Sequence, residues 1–466
     1  MIFLSIDIGS TYTKGAVFKL AGNGLEFLDR AVCPTDTANL KNGFDWVRKE
    51  LDPKKIAERT VFTSSAKGGL AISALGLVPD LTLKAAKSAA LSAGGKVVSV
   101  HAYKLTANQI SDLSKQRPDI LLLAGGTDGG NEAYVRHNAE MLCQMSVAFG
   151  PDSLPALVYA GNSAIKDEVC CMLKKAGFDV HPAPNLLPNI DTMEPEGARE
   201  QIRNVFLSKI VHGKGLNAIT DEIGSEPMPT PLAVLTLVEA MYHEIADFGD
   251  FVLVDMGGAT TDVYSAGGTV DADARVILRG LPEPKVKRTV EGDLGMRVSA
   301  STATQSAWDT LAQLLENNER EAFLAFISHL AFAPDYLPTD TAGAKFDRIL
   351  AATCVHDAMR RHAGTWRRAF TAEGETFIQQ GKDLRRISKV IGTGGFLSAM
   401  SDFVPPTLEA GQNTETISLT PRSYNYLRDR NYLLPLLGAI ALQYPKQAAL
   451  CAIANLEPGP FCRMNN

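Results

Sequence analysis

FLSIDIGSTYTKGAVF, residues 3–18, reads as an apolar strand ending in a carboxylate, a turn of small polar residues, and a second apolar strand. Gly9 lets backbone approach a ligand closely, while Ser10, Thr11 and Thr13 bring hydroxyls and amide donors to the same turn. A phosphate chain needs small donors of this kind, and Asp7 at the strand end is suited to hold Mg2+ through water. A single copy is equally the pattern of a tight hairpin whose polar residues satisfy only their own backbone. The pattern is not single. FVLVDMGGATTDVYS at 251–265 repeats it, with Asp255, Gly257, Gly258, Thr260, Thr261 and Asp262 in the corresponding places. Two halves that begin with the same supersecondary unit imply two related domains facing each other. A third element, VIGTGGF at 390–396, follows a strand with Gly392, Gly394 and Gly395, which leaves bare backbone for a flat ligand.

The rest of the chain agrees with this reading. At 466 residues it exceeds the roughly 250–300 at which single cores stop growing, so at least two domains are expected. Apolar residues make up 45% and charged residues 21%, enough apolar material for packed cores. A formal charge of −6 argues against nucleic acid as the main ligand. No apolar run reaches 18 residues, so no membrane span is expected. The N-terminus lacks a basic region and carries Asp7 early, which reads as a buried strand, not a signal peptide. Seven scattered cysteines without a CxxC pair suit a reducing cytoplasm and give no zinc or iron–sulfur framework. Neither GxxxxGK[ST] nor GxGxxG occurs, against P-loop and Rossmann nucleotide sites.

Along the chain we expect strands at 2–8, 14–20 and 25–32, with a hairpin turn at Gly22-Asn23-Gly24, a helix over 39–50 and a strand at 59–63. That order makes a mixed sheet. A helix-rich stretch follows, then strands at 120–124, 156–160 and 178–182 with a helix at 163–175. Proline-rich loops are expected at 182–195, where residues 185–191 break any periodicity, and at 224–231. After a helix over 231–245 come strands at 251–256, 261–266 and 275–278. A mostly helical stretch follows over 295–390, then a strand at 389–391 and a last helix near 432–444. The expected domains are 1–245 with an α/β extension at about 130–230, then 246–432, with 433–466 returning toward the first.

On the motifs DIGSTYTK, DMGGATTD and IGTGGF, in that order, the chain resembles the actin, Hsp70 and sugar-kinase superfamily, whose signature is phosphate-1, phosphate-2 and adenosine loops. The resemblance implies an α/β fold of two RNase-H-like, actin-like ATPase domains with mixed sheets, and ATP with Mg2+ in the cleft between them. Pro435–Ala441 looks like the second connecting helix and Thr230–Ile245 like the first. Further motifs narrow the likeness: LAGGTDGGN at 123–131, YAGN at 159–162, KRTVEGDLGMR at 287–297, RHAG at 361–364 and GKDL at 381–384. With these the chain resembles, from residue 2 to about 444, the MutL family of glutamate mutase accessory proteins, unrelated to the mismatch-repair protein of the same name. That family implies an ATP-dependent partner that reactivates adenosylcobalamin-dependent aminomutases, the cobalamin being carried by the partner enzyme alone.

The resemblance also implies roles. Asp7 and Asp255 would hold Mg2+ through water, and Asp255 would alternatively orient the attacking water, with Asp262 as a second candidate. Ser10, Thr11, Tyr12 and Lys14 would meet the β-phosphate. Gly257, Gly258, Thr260 and Thr261 would meet the γ-phosphate, and Gly392, Gly394 and Gly395 the adenosine. Glu291 and Asp293 either contact ribose or complement the N-terminal dipole of a helix they open. Asp128 and Asn131 either line the cleft or cap a helix after a glycine-rich turn. The arginines at 360, 361, 367, 368, 385 and 386, with His362 and Lys389, form either a solvated face or an anion or partner contact. Cys170 and Cys171 diverge by about 100° on one helix and read as core packing. A small-molecule kinase on the same fold, with Asp255 as base, is the alternative. An ATPase activator of 2-hydroxyacyl-CoA dehydratases is a further one, disfavoured because no cysteine is placed to share an iron–sulfur cluster.

Overall fold

Residues Ile2–Ile8 are buried from Phe3 onward, on both faces of the sheet, which is why the segment reads as a continuous apolar run. This strand pairs antiparallel with Tyr12–Ala21 and parallel with Arg59–Ser64. Gly24–Pro34 adds antiparallel beyond the second strand. The same plan recurs later: Phe251–Met256 pairs antiparallel with Thr261–Ala266 and parallel with Lys389–Thr393, and Val286–Glu291 adds antiparallel beyond. Ser423–Arg428 and Glu457–Arg463 extend that sheet on its other side. Each sheet is therefore a three-strand meander with a parallel strand beside its first, the mixed RNase-H-like arrangement, present twice.

The duplication holds to the residue. Asp7 lies opposite Lys14 on one side and Thr63 on the other. Asp255 lies opposite Asp262, the same offset along the hairpin, and opposite Thr393, again a threonine, on the parallel strand. In both turns a glycine amide closes the hairpin, Gly9 donating to the Tyr12 carbonyl at 3.0 Å and Gly257 to the Thr260 carbonyl at 2.9 Å.

The computed structural model describes the chain except residues 23, 37, 66–70, 149–153, 191, 211–214, 269–275, 334, 372–373, 406–415 and 464–466. For 147–148, 207–210 and 463 it describes the backbone only. Asn23 of the expected hairpin turn, Asp191 of the expected loop and Arg275 of the expected strand lie outside the described residues. No helix among the described residues is long and apolar enough to cross a membrane.

Helices cover the two sheets where small residues permit. Leu40–Leu51, capped by the Asn39 side chain, buries Phe44 and Val47. A Cβ on Gly15 would stand 2.4 Å from Val47 Cγ1, so only glycine lets that helix settle on its strand. The expected connecting helices are Thr230–Glu244 and Leu434–Ala441. They cross at backbone distance, since a Cβ on Gly438 would lie 2.1 Å from the Ala233 carbonyl oxygen. Ser5 Oγ donates to the Leu436 carbonyl at 2.7 Å, tying the second helix to the first strand. In the second half Arg320–Phe332 and Thr341–His362 pack through Phe323 against Phe346, edge on at 5.5 Å.

Contacts divide the chain differently from the expected boundaries at 245 and 432. Residues 1–66, 233–279 and 283–466 form one compact unit, and 67–232 with 280–282 form another. The second unit has a parallel sheet in the order Lys96–Ala102, Ala71–Gly76, Ile120–Leu123, Ala156–Tyr159, Val180–Pro182. That is the doubly wound order in which the first strand lies between the second and third. The extension expected at about 130–230 thus begins near residue 67. Its first two strands fall in the stretch expected to be helix-rich; small residues weaken the strand signal of AISALG at 71–76, whereas the valines of KVVSVHA at 96–102 favour a strand outright. Two expectations about elements fail, and two strands were not foreseen. Val286–Glu291 is a strand, so Glu291 does not open a helix, the next of which begins at Ala300. The stretch 295–390 contains a hairpin of Thr365–Thr371 and Gly374–Gln380. The strands Ser423–Arg428 and Glu457–Arg463 were not expected at all.

Candidate functional site

The two duplicated strand ends bring their aspartates into one cluster of charge. Asp7 is 1% exposed, and Thr63 Oγ1 donates to its Oδ1 at 2.7 Å while the Tyr432 hydroxyl donates to its Oδ2 at 3.4 Å. Asp429, also 1% exposed, receives Thr393 Oγ1 at 2.8 Å and the Leu433 and Leu434 amides at 2.8 and 3.1 Å. It thereby caps the start of the second connecting helix. Lys14, opposite Asp7, carries its ammonium 3.2 Å from the centre of the Tyr432 ring. Burial lowers the pKa of Lys14 against the pull of Asp7, Asp255 and Asp429. Burial and the neighbouring Asp262 push the Asp255 carboxyl up to about 7, with Asp7 and Asp429 adding to the rise and Lys14 opposing it. Burial likewise raises Asp429, against its three donors.

The three loops meet at this cluster. Thr11 Oγ1 stands 3.7 Å from where a Cβ on Gly258 would be, so the first turn faces the second. Ser10 is exposed at its tip, and Thr11, Tyr12, Gly257, Gly258 and Thr260 are partly exposed. The Met296 and Arg297 amides donate to the Gly257 and Gly258 carbonyls at 3.1 and 2.9 Å, which fixes the second turn from behind. A cavity of about 200 Å3 joins the first loop to the third, with Tyr12, Lys14, Arg30, Gly395, Ser398 and Tyr432 in its walls. Ser398 Oγ, on a residue 7% exposed, has no hydrogen-bond partner among the described residues.

The three glycines of the third loop do three different jobs. A Cβ on Gly392 would fall 1.9 Å from the Tyr426 hydroxyl, so this glycine admits a core tyrosine. Gly394 has φ +101° and its Cβ would fall 2.1 Å from the Met256 carbonyl oxygen, so it lets the third loop lie on the second strand end. Only at Gly395 does nothing stand within 4 Å, leaving it free to face a ligand. Gly394→Ala should cost about 3 kcal/mol in a urea titration, through overpacking against rigid backbone. Gly395→Ala should stay within about 0.5 kcal/mol of the unsubstituted chain.

Other residues singled out in the sequence have structural partners instead. Asp262 forms a buried ion pair with Arg288, the two 6% and 5% exposed, with Arg288 Nε at 2.8 Å from Oδ1. Thr261 Oγ1 donates to the Leu294 carbonyl at 2.7 Å, and Thr260 Oγ1 to Asp262 at 3.3 Å. Glu291 and Asp293 both bind Arg361, at 3.1 and 2.7 Å. Arg297 holds the buried Asp347 in a two-pronged pair at 2.9 and 2.7 Å. The segment 287–297 is thus largely a scaffold of ion pairs. Four arginines of the basic cluster are paired: Arg361 as above, Arg360 with Asp357, Arg368 with Glu375, and Arg385 with Asp383 and over the Trp366 ring at 3.6 Å. In the other unit the Ser163 amide and Asn185 Nδ2 both donate to Asp128 Oδ1 at 2.8 Å. Asn131 accepts from the Tyr134 amide at 3.2 Å, a helix cap. Cys170 is buried and Cys171 exposed, diverging as their shared helix requires.

Sequence reasoning missed Thr63, Thr393, Asp429 and Tyr432. A signal for Asp429 was present, an aspartate just ahead of an apolar helix, but it reads only as a cap until the fold places it beside Lys14. Among the described residues no group of three or more His, Cys, Asp or Glu side chains could hold a metal ion by itself. Mg2+ is ordinarily held by one or two carboxylates, waters and substrate phosphates, so Asp7 and Asp255 on facing loops fit it.

Solved structures that resemble the chain include acetone carboxylase in its nucleotide-free form, at 12% identity and a TM-score of 0.41, covering 94% of this chain and 70% of that one. The ligand-bound xylulose kinase of Lactobacillus acidophilus matches at 10% identity and 0.33, covering 100% and 94%. The fold rests on the duplicated strand orders themselves. The sequence comparisons are closer. "Protein MutL" of Clostridium tetanomorphum is 36% identical over 456 residues, covering 96% of this chain and 97% of that protein. The family model described as MutL protein matches residues 3–455, and over that length and identity the chain belongs to the MutL family.

Proposed function

We propose that the chain binds ATP with Mg2+ at the meeting of its three loops, hydrolyses it, and serves as an accessory ATPase that reactivates an adenosylcobalamin-dependent aminomutase. The observation that carries the nucleotide reading is the pair of Asp-x-Gly turns with matching hairpin registers, Thr11 against Gly258, at a cavity that reaches Gly395. The accessory role rests on the family likeness.

In-line attack on a phosphoryl group needs positioning and charge neutralisation more than covalent help. In this reading Ser10, Thr11 and Tyr12 receive the β-phosphate, with Lys14 beside them. Gly257, Gly258 and Thr260 lie along the γ-phosphate, and Gly395 and Ser398 face the adenosine. Asp255 orients the attacking water and accepts its proton, while Asp262 keeps the Arg288 pair and supports the strand. Asp7 and Asp255 hold Mg2+ through water; when bound, the ion neutralises charge developing on the phosphate oxygens.

A pH dependence follows from Asp255. Below about 7 its carboxyl is protonated in the nucleotide-free chain, so Mg2+ binding must release that proton. Affinity for Mg2+ should rise with pH and level off above about 7, and calorimetry in buffers of different ionisation enthalpy should show proton release below that point. A carboxyl raised above its unfolded value makes the opposite contribution to stability. The folded chain keeps the proton longer than the unfolded one, so Asp255's contribution weakens as pH climbs from about 4 toward 7. A flat Mg2+ affinity from pH 5.5 to 8 would remove Asp255 from the ion's site.

The functional test compares ATP turnover by the chain alone with turnover beside an aminomutase carrying inactivated cobalamin. Stimulation with cobalamin release supports the proposal. A phosphorylated metabolite formed without any mutase would instead identify a kinase.

A further inference from the structure

We infer that Tyr432 is a positioning residue of the carboxylate cluster, its ring fixing Lys14 and its hydroxyl fixing Asp7; the inference rests on the nucleotide reading above and deepens it. Four non-glycine residues among those described have positive φ: Lys55, Tyr103, Arg117 and Tyr432. Arg117 ends a helix, where the left-handed conformation is routine. Tyr432, at φ +53°, instead enters one, two residues before Leu434–Ala441. Left-handed backbone at a bulky residue stores strain, and such residues are enriched at functional sites where the surroundings hold them.

The surroundings do hold Tyr432. Its amide donates to the Asp429 carbonyl at 3.1 Å, while the Asp429 carboxylate takes the next two amides. The loop is thus closed on both sides of Tyr432. The helix that follows is held to the strand of Asp7 through Ser5 and Leu436. What this backbone delivers is a ring 3.2 Å from the Lys14 ammonium and a hydroxyl on the Asp7 oxygen that Thr63 leaves uncovered.

Both contacts bear on the geometry of the cluster. Lys14 is a long side chain among Asp7, Asp255 and Asp429, any of which attracts its charge. Unrestrained, it would swing between them and act as an internal counter-ion where Mg2+ is expected. The ring face gives it one resting place. Thr63 and Tyr432 together occupy both oxygens of Asp7, so that carboxylate keeps one orientation. Tyr432 and Lys14 also line the cavity toward Gly395, so the pair stands where nucleotide would arrive.

The experiment uses the full chain with Tyr432→Phe and Tyr432→Leu. The first readout needs no nucleotide: the rate at which an amine-reactive ester labels Lys14, followed by peptide mass spectrometry with the exposed Lys49 as internal control. Tyr432→Leu should label Lys14 about tenfold faster than the native chain, and Tyr432→Phe close to native, because the ring is kept. The second readout is ATP turnover. Tyr432→Phe should lower kcat about fivefold with KM for ATP little changed, from loss of one hydrogen bond to the carboxylate. Unchanged Lys14 labelling in Tyr432→Leu overturns the inference. So does a loss of melting temperature in both variants with labelling and kcat per folded molecule left as native, since that is a merely structural role. If the native chain fails to turn over ATP, the nucleotide reading falls, while the labelling comparison still decides whether Tyr432 holds Lys14.

Discussion

Asp7→Asn should reduce ATP turnover by roughly 10²–10³-fold while the chain stays folded, the scale seen when one preorganised electrostatic group is removed from a reacting phosphate or carbonyl. Asparagine keeps the shape and can still accept from Thr63 or Tyr432, so the buried hydrogen bonds are largely preserved. The charge is what goes. With it goes one of three carboxylates around Lys14, so the Mg2+ affinity of the nucleotide-free chain should fall with the rate. Asp7→Ala removes the acceptor too and leaves two hydroxyls to find new partners, so it should add a stability loss of about 1–2 kcal/mol. Unchanged turnover in either variant would sink the assignment of Asp7. Circular dichroism and a urea titration separate loss of chemistry from loss of fold.

Asp262→Ala is expected to act on stability. Asp262 and Arg288 are both nearly fully buried, and removing one partner of such a pair strands the other charge, at a cost of about 3–5 kcal/mol. Arg288 also lies against Tyr264, itself fully buried, so the stranded guanidinium has no nearby water to turn to. The decisive comparison is the pair replacement Asp262→Leu with Arg288→Met, which should recover most of the loss, because a buried pair is often no better than apolar packing of similar volume. Turnover per folded molecule should survive in the double variant. If turnover disappears while stability is recovered, Asp262 belongs to the chemistry after all, as the sequence alone allowed.

Much of the site was legible because its elements are local. A phosphate-facing turn needs an aspartate, glycines and hydroxyls within eight residues, and such a string survives in sequence order wherever the fold carries it. The internal echo at 3–18 and 251–265 was legible for the same reason, and the strand registers repeat it to the residue. The strand Ala71–Gly76 was not, because small residues make its periodicity ambiguous with a helix, whereas Val97, Val98 and Val100 do mark Lys96–Ala102 as a strand. Glu291 misled because acidic residues such as Glu291 and Asp293 are favoured in the first turn of a helix, whereas pairing with Thr261 makes Glu291 the end of a strand.

FLSIDIGSTYTKGAVF and its two companions by themselves determined that this chain has a duplicated, mixed-sheet fold and where its loops are. Those are properties of short segments, fixed by strand patterning and by which residues let backbone come close. Only the tertiary structure decided that Asp429 and Tyr432 join Asp7 and Lys14, that Asp262 is bound to Arg288, and that of three glycines at 392–395 only one is open. The physical reason is that hydrogen bonds, ion pairs and steric clearance depend on distance in space. The chain brings together residues more than 400 positions apart, and no local pattern records which of them will meet.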